Sequence, residues 1–188
     1  MSDAWYDEVG SEAPLTQGDL VSACPVAIWT TPESFQIVAG MLVSETGVQA
    51  EDVIVMTQAC DLEHGKGQNV IVCPTNRLSA YRSGWEAEQL AHGRKSNNDT
   101  WKKFCKTVKS GFVWNLSMLN RCTDPQAEHR IVDFRQVYST PRMVIEKALA
   151  HRGGTRLRLR PPYREHLSQA FARFFMRVGL PIDIDDAW

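Results

Sequence analysis

Apolar residues recur at i, i+4, i+7 and i+11 in YREHLSQAFARFFMRVGLP, at Leu167, Phe171, Phe174 and Val178. That spacing lays one stripe along a helix, and Gly179 and Pro181 supply its stop. A second stripe runs through TWKKFCKTVKSG, where Trp101, Phe104, Cys105 and Val108 fall at i, i+3, i+4 and i+7. Asn98-Asp99-Thr100 offers its N-cap and Gly111 its C-terminal glycine. Leu78 to Leu90 predicts a further helix, closed by Gly93.

Other segments carry strand patterns. Val53–Thr57 and Asn69–Cys73 are dense in β-branched residues and predict buried strands. Leu20–Val26 and Ala27–Trp29 predict short strands interrupted by Pro25, and Phe112–Leu116 another strand. Arg130–Tyr138 alternates in places, and Arg156–Arg160 (RLRLR) alternates strictly, with three arginines on one face and two leucines on the other. Ser34–Ser44 is either a strand pair bent at Gly40 or a short helix, because periodicity does not separate the two. The expected class is α+β. Residues 1–14 read as a loose acidic arm, 15–182 as one domain with a helical insertion at 78–110, and 183–188 as an acidic tail.

Charge changes the picture. From Met1 to Gly65 there is no Lys or Arg, against eleven acids, whereas Lys66 to Ile182 carries 21 basic residues and eight acids. The division suggests an anionic partner such as nucleic acid for the second part, or a protein partner bound through acidic residues 1–65. The alternative is that the two parts neutralise each other inside one fold. The basic positions open to a phosphate backbone include Lys102, Lys103, Lys106, Arg156, Arg158, Arg160, Arg173 and Arg177. Trp101 and Phe104 could stack bases, but their place on the apolar stripe assigns them to a core.

No apolar run reaches the roughly 18 residues that cross a bilayer, and the acidic N-terminus has no signal-peptide pattern. The expectation is a cytoplasmic protein that avoids membranes and carries no cofactor. Its five cysteines are irregularly spaced without a CxxC pair, which points to free thiols in a reducing compartment.

The chemistry-bearing residues concentrate in VIVMTQACDLEHG. Cys60 and His64 stand one helical turn apart, with Asp61 and Glu63 between them. They admit three readings: a thiolate with its base, a metal pair with Cys73 as the best third ligand, or a polar turn after a buried strand.

Taken in order, QGDLV, DVIVMTQ, VIVCPT, RIVDFRQVY and the C-terminal helix resemble the PemK/MazF family of small SH3-like barrels, toxins that cleave single-stranded RNA. The resemblance covers residues 17–23, 52–76 and 130–180. It implies an SH3-like β-barrel, metal-independent endoribonuclease chemistry, a toxin or phage-defence setting, and homodimerisation as an open alternative. It places the family's catalytic threonine at Thr75, with Arg77 and the Cys60–His64 loop beside it. It also exposes a departure, since Glu51-Asp52 stands where the family has its catalytic arginine. Two alternatives stay open: an inactive barrel that holds a protein partner, and a Cys60-dependent hydrolase.

Overall fold

A computed structural model describes residues 5–29, 36–43, 46–123 and 127–176. The chain is mixed α+β. In order it forms β1 (Tyr6–Gly10), β2 (Leu20–Trp29), β3 (Gln36–Val38), β4 (Met41–Val43), β5 (Thr46–Val55), α1 (Ala59–Glu63) and β6 (Asn69–Arg77). Then come α2 (Leu78–Ala91), α3 (Asn98–Lys109), β7 (Leu116–Leu119), β8 (Arg130–Asp133), β9 (Tyr138–Pro141), α4 (Arg142–Arg152), β10 (Thr155–Leu159) and α5 (Tyr163–Phe175).

The main sheet has the order β2-β5-β6-β8-β7, with β9 sharing the β8 edge of β6. Its end strands do not pair with each other, so among the described residues the sheet stays open and no closed barrel forms. β5 and β6 are its centre, in the register Val53↔Pro74 to Val55↔Val72. Their alternation sends side chains to two cores. Val53, Val55, Val70 and Val72 pack with Leu62, Ile145 and Leu149 on one face. Ile54, Cys73 and Val132 pack with Phe134, Leu159 and Leu167 on the other. Beyond Cys73 the second face turns polar, and that transition positions the site described below.

Several elements differ from the sequence expectation. Residues 6–10 are not a loose arm, because they pair antiparallel with β10 from Tyr6↔Leu159 to Gly10↔Thr155. β2 runs through Pro25, which an edge strand tolerates because one row of its amides needs no partner. The expected strand 130–138 is two strands. Asp133 breaks it by accepting the backbone N–H of Arg135 at 3.0 Å and gripping the Arg135 guanidinium. Residues 112–115 lie outside strand β7. Residues 36–43 form a hairpin, turning at Ala39 and Gly40 with φ of 52° and 78°.

α2 and α3 cover β7 and β8. Trp101 is buried, and its ring centroid lies 5.2 Å from that of Trp85 and 5.5 Å from that of Phe104. This stripe is packing, as its spacing implied. The cap is Asn97 rather than Asn98, and its side chain accepts the N–H groups of Asp99 and Thr100 at 3.0 Å each. Arg177 and the acidic stretch 183–188 lie outside the described residues.

Candidate functional site

The polar end of the second sheet face collects Asp52, Thr75, Arg77 and Arg130. Thr75 and Arg77 share a face of β6 because they are two apart, and Arg130 stands directly opposite Arg77 on β8. Arg130 Nη1 donates to Thr75 Oγ1 at 3.0 Å and to Asp52 Oδ2 at 2.9 Å. Thr75 Oγ1 donates to the Asp52 carbonyl at 3.3 Å. Arg77 is exposed and Thr75 is buried.

The β2 bulge between Val21 and Cys24 holds this corner from the other side. Ala23 adopts φ of 43°, and its N–H donates to Asp52 Oδ1 at 2.9 Å. Its carbonyl accepts from Arg152 Nη2 at 3.1 Å. Bulges re-aim side chains at sheet edges, and this one ties β5 to the end of α4. Burial works to raise the Asp52 pKa, but the Ala23 N–H and the Arg130 guanidinium outweigh it and hold the carboxyl below its ordinary value. Exposed Glu128 is held down as well, chiefly by the Ser79 N–H that it accepts at the start of α2. Both carboxylates are therefore ionised at neutral pH.

Sequence reasoning missed Arg130. The guanidinium that meets Asp52 of β5 comes from 78 positions later, on β8. Only the register β6↔β8 reveals it, although the alternation of RIVD marks Arg130 as sharing a face with Val132.

The structure separates two groups expected to line one site. Cys60, Asp61 and Glu63 lie on α1 with His64 at its end, beside the Asn69 end of β6. Thr75 and Arg77 lie toward the other end. Nine strand residues span roughly 25 Å or more. Cys60 is exposed, with its Sγ 3.7 Å from Gln58 Oε1 and 3.8 Å from Asp61 Oδ1. Asp61 pairs with Lys66 at 3.7 Å.

Cys73, the expected third ligand, is buried opposite Ile54. Burial, with the Asp133 charge adding to it, pushes its thiol up to about 12. Among the described residues no three His, Cys, Asp or Glu side chains converge to hold a metal.

The arginine stripe is internal wiring. Asp19, fully buried, accepts from Arg156 Nε at 2.9 Å and from Arg158 Nη2 at 3.0 Å. Arg156 also donates to the carbonyls of Gly10 and Ala13, both at 2.7 Å. Arg160 pairs with Asp7 at 3.4 Å. Arg173 donates to the Gly111 carbonyl and lies 4.9 Å from the Trp114 ring centroid. Each of these four arginines already has a partner within the fold. Lys102, Lys103 and Lys106 are exposed on α3 and make no ion pair among the described residues.

No helix among the described residues is long and apolar enough to cross a membrane. Comparison with protein-family models, with curated proteins and with solved structures finds no match to this chain.

Proposed function

We propose that the protein binds single-stranded nucleic acid, RNA or DNA, at the Thr75–Arg77–Arg130 corner. The open β2-β5-β6-β8 sheet would then be a divergent relative of the PemK/MazF barrel. One observation carries this reading: Arg130 reaches Thr75 at 3.0 Å, so a guanidinium from β8 stands beside the threonine. Arg130 and Arg77 together give a forked and an exposed cation for phosphate oxygens.

The reading is binding rather than cleavage. Attack of a ribose hydroxyl needs a base poised near neutral pH, and both carboxylates at the corner are held below their ordinary range. Asp52 also occupies Arg130, which limits how far it can follow a phosphoryl group.

Fluorescence anisotropy of a labelled single strand tests this. Affinity should fall steeply with salt. Arg77→Ala and Arg130→Ala should each lower the salt slope by about one. Asp52→Asn, which keeps an acceptor for Ala23 and releases Arg130, should tighten binding, and the strand should be recovered intact. Binding that ignores salt and both arginines would overturn the reading. A cleaved strand would restore the ribonuclease alternative.

A second reading, docking of a protein partner on the lysine- and arginine-free first part, is favoured by exposed apolar residues there. Trp29 is 68 % exposed, and Ile37 and Val48 are each 77 % exposed. A partner captured by the wild type and lost in Trp29→Ser would support it.

A further inference from the structure

A cavity of about 230 Å³ opens between the β2 bulge, the end of α4 and the start of β10. Three cations face it: Arg130, Arg152 and Arg156. Ser11 and Ser22 bring hydroxyls, and Leu20 and Leu157 give it an apolar wall. Among the described residues no carboxylate lines it.

We propose that this cavity binds a small phosphate ester, with the phosphate held by Arg152 and Arg130 and the attached organic group against the leucines. The three arginines have different parts. Arg156 is used inward, with Asp19 and the carbonyls of Gly10, Ser11, Ala13 and Pro14 around it, so it is a fixed positive wall. Asp19 does not cancel that wall, because it is shared with Arg158. Arg152 makes one hydrogen bond among the described residues, from Nη2 to the Ala23 carbonyl, which leaves Nε and Nη1 to donate. Arg130 uses only Nη1, which leaves Nε and Nη2.

The nearest described carboxylates are already partnered, which lowers their repulsion of an anion. Asp52 is held by Arg130 and Ala23, and Glu8 accepts from Thr155. Two guanidiniums with free donors, in a concave site with no acid among its described lining residues, concentrate field on an anion. Phosphate oxygens match forked donors better than a single point charge would. Bare phosphate would leave the leucine wall uncovered, and that surface argues for an ester. The proposal shares Arg130 with the strand-binding reading, but Arg152 and Ser22 belong to the cavity and not to the Thr75 corner, so their variants separate the two.

Calorimetric titration of the full chain with ribose 5-phosphate, a nucleoside 5′-monophosphate, inorganic phosphate, and the uncharged ribose and nucleoside tests it. The two esters should bind, more tightly than inorganic phosphate, and the uncharged probes should not. Arg152→Ala should weaken ester binding by about tenfold or more, the scale of one charge-assisted hydrogen bond. Ser22→Asp, on an exposed position, should abolish it through a like charge. Lys102→Ala, on a different surface, should change nothing. The proposal fails if the esters bind no better than their uncharged counterparts, or if both Arg152→Ala and Ser22→Asp bind as the wild type does. Should Arg152→Ala lower the melting temperature, Ser22→Asp alone decides.

Discussion

Asp19 has no exposed surface and anchors two guanidiniums, one of which, Arg156, is also almost wholly buried. A buried charge without its partner is far more costly than the intact pair is stabilising. Asp19→Ala should therefore destabilise the protein by about 3–5 kcal/mol in urea denaturation. Asp19→Asn keeps one acceptor and should cost less. A loss below about 1 kcal/mol for the alanine variant would mean that Arg156 finds water or another acceptor. In the sequence Asp19 is visible only as part of a Gln-Gly-Asp turn. Its partners lie near residue 157, and no local pattern links them. The same holds for Arg130, whose role follows from a strand register. Thr75, by contrast, is marked by the end of its apolar run.

Elements whose pattern is local are legible. The α3 stripe buries Trp101 and Val108 and half-buries Phe104 and Cys105, the α5 stripe buries Leu167 and half-buries Phe171 and Phe174 while Val178 lies outside the described residues, and the cap of α3 is displaced by one position only. Asn97 both accepts two amides and has its own N–H received by Thr100 Oγ1 at 2.9 Å, a closed capping box. Asn97→Ala should cost about 1 kcal/mol of stability. It should leave single-strand affinity at the Thr75 corner unchanged, since α3 packs on β7 rather than at that corner. A large loss of affinity in this variant would move the binding surface onto the α3 lysines. Elements set by distant partners are not legible. β1 is a strand because β10 offers an edge and cations, and β8 and β9 are separate because Asp133 folds back on Arg135. The β2 bulge, which ties Asp52 and Arg152 together, has no sequence mark beyond small residues at Ser22 and Ala23.

At the scale of the molecule, the acidic first part and the basic second part meet in a few internal ion pairs. Asp19 meets Arg156 and Arg158, Asp7 meets Arg160, and Asp52 meets Arg130. The two cores on either side of the sheet hold buried thiols, Cys24 in one and Cys73 and Cys122 in the other. Burial pushes Cys24 up to about 11, against the pull of Arg152, and Cys73 up to about 12, from an ordinary 9.0. Below about pH 9 both thiols are protonated folded or unfolded, and stability is undiminished. Above it the unfolded chain loses these protons first, so stability falls until pH passes the folded values. Each pH unit in that window carries about 1.4 kcal/mol per thiol, which gives about 4 kcal/mol for the pair between about pH 9 and 10.5. Tyr81 and Tyr138 shift in the same direction, chiefly through burial, so the thiol share is read by comparison. Urea denaturation of the wild type should show a steep alkaline loss, and Cys24→Ala/Cys73→Ala should flatten it while lowering stability at about pH 8. Equal alkaline losses in both proteins would place the titration elsewhere and show that the two thiols ionise without opening either core.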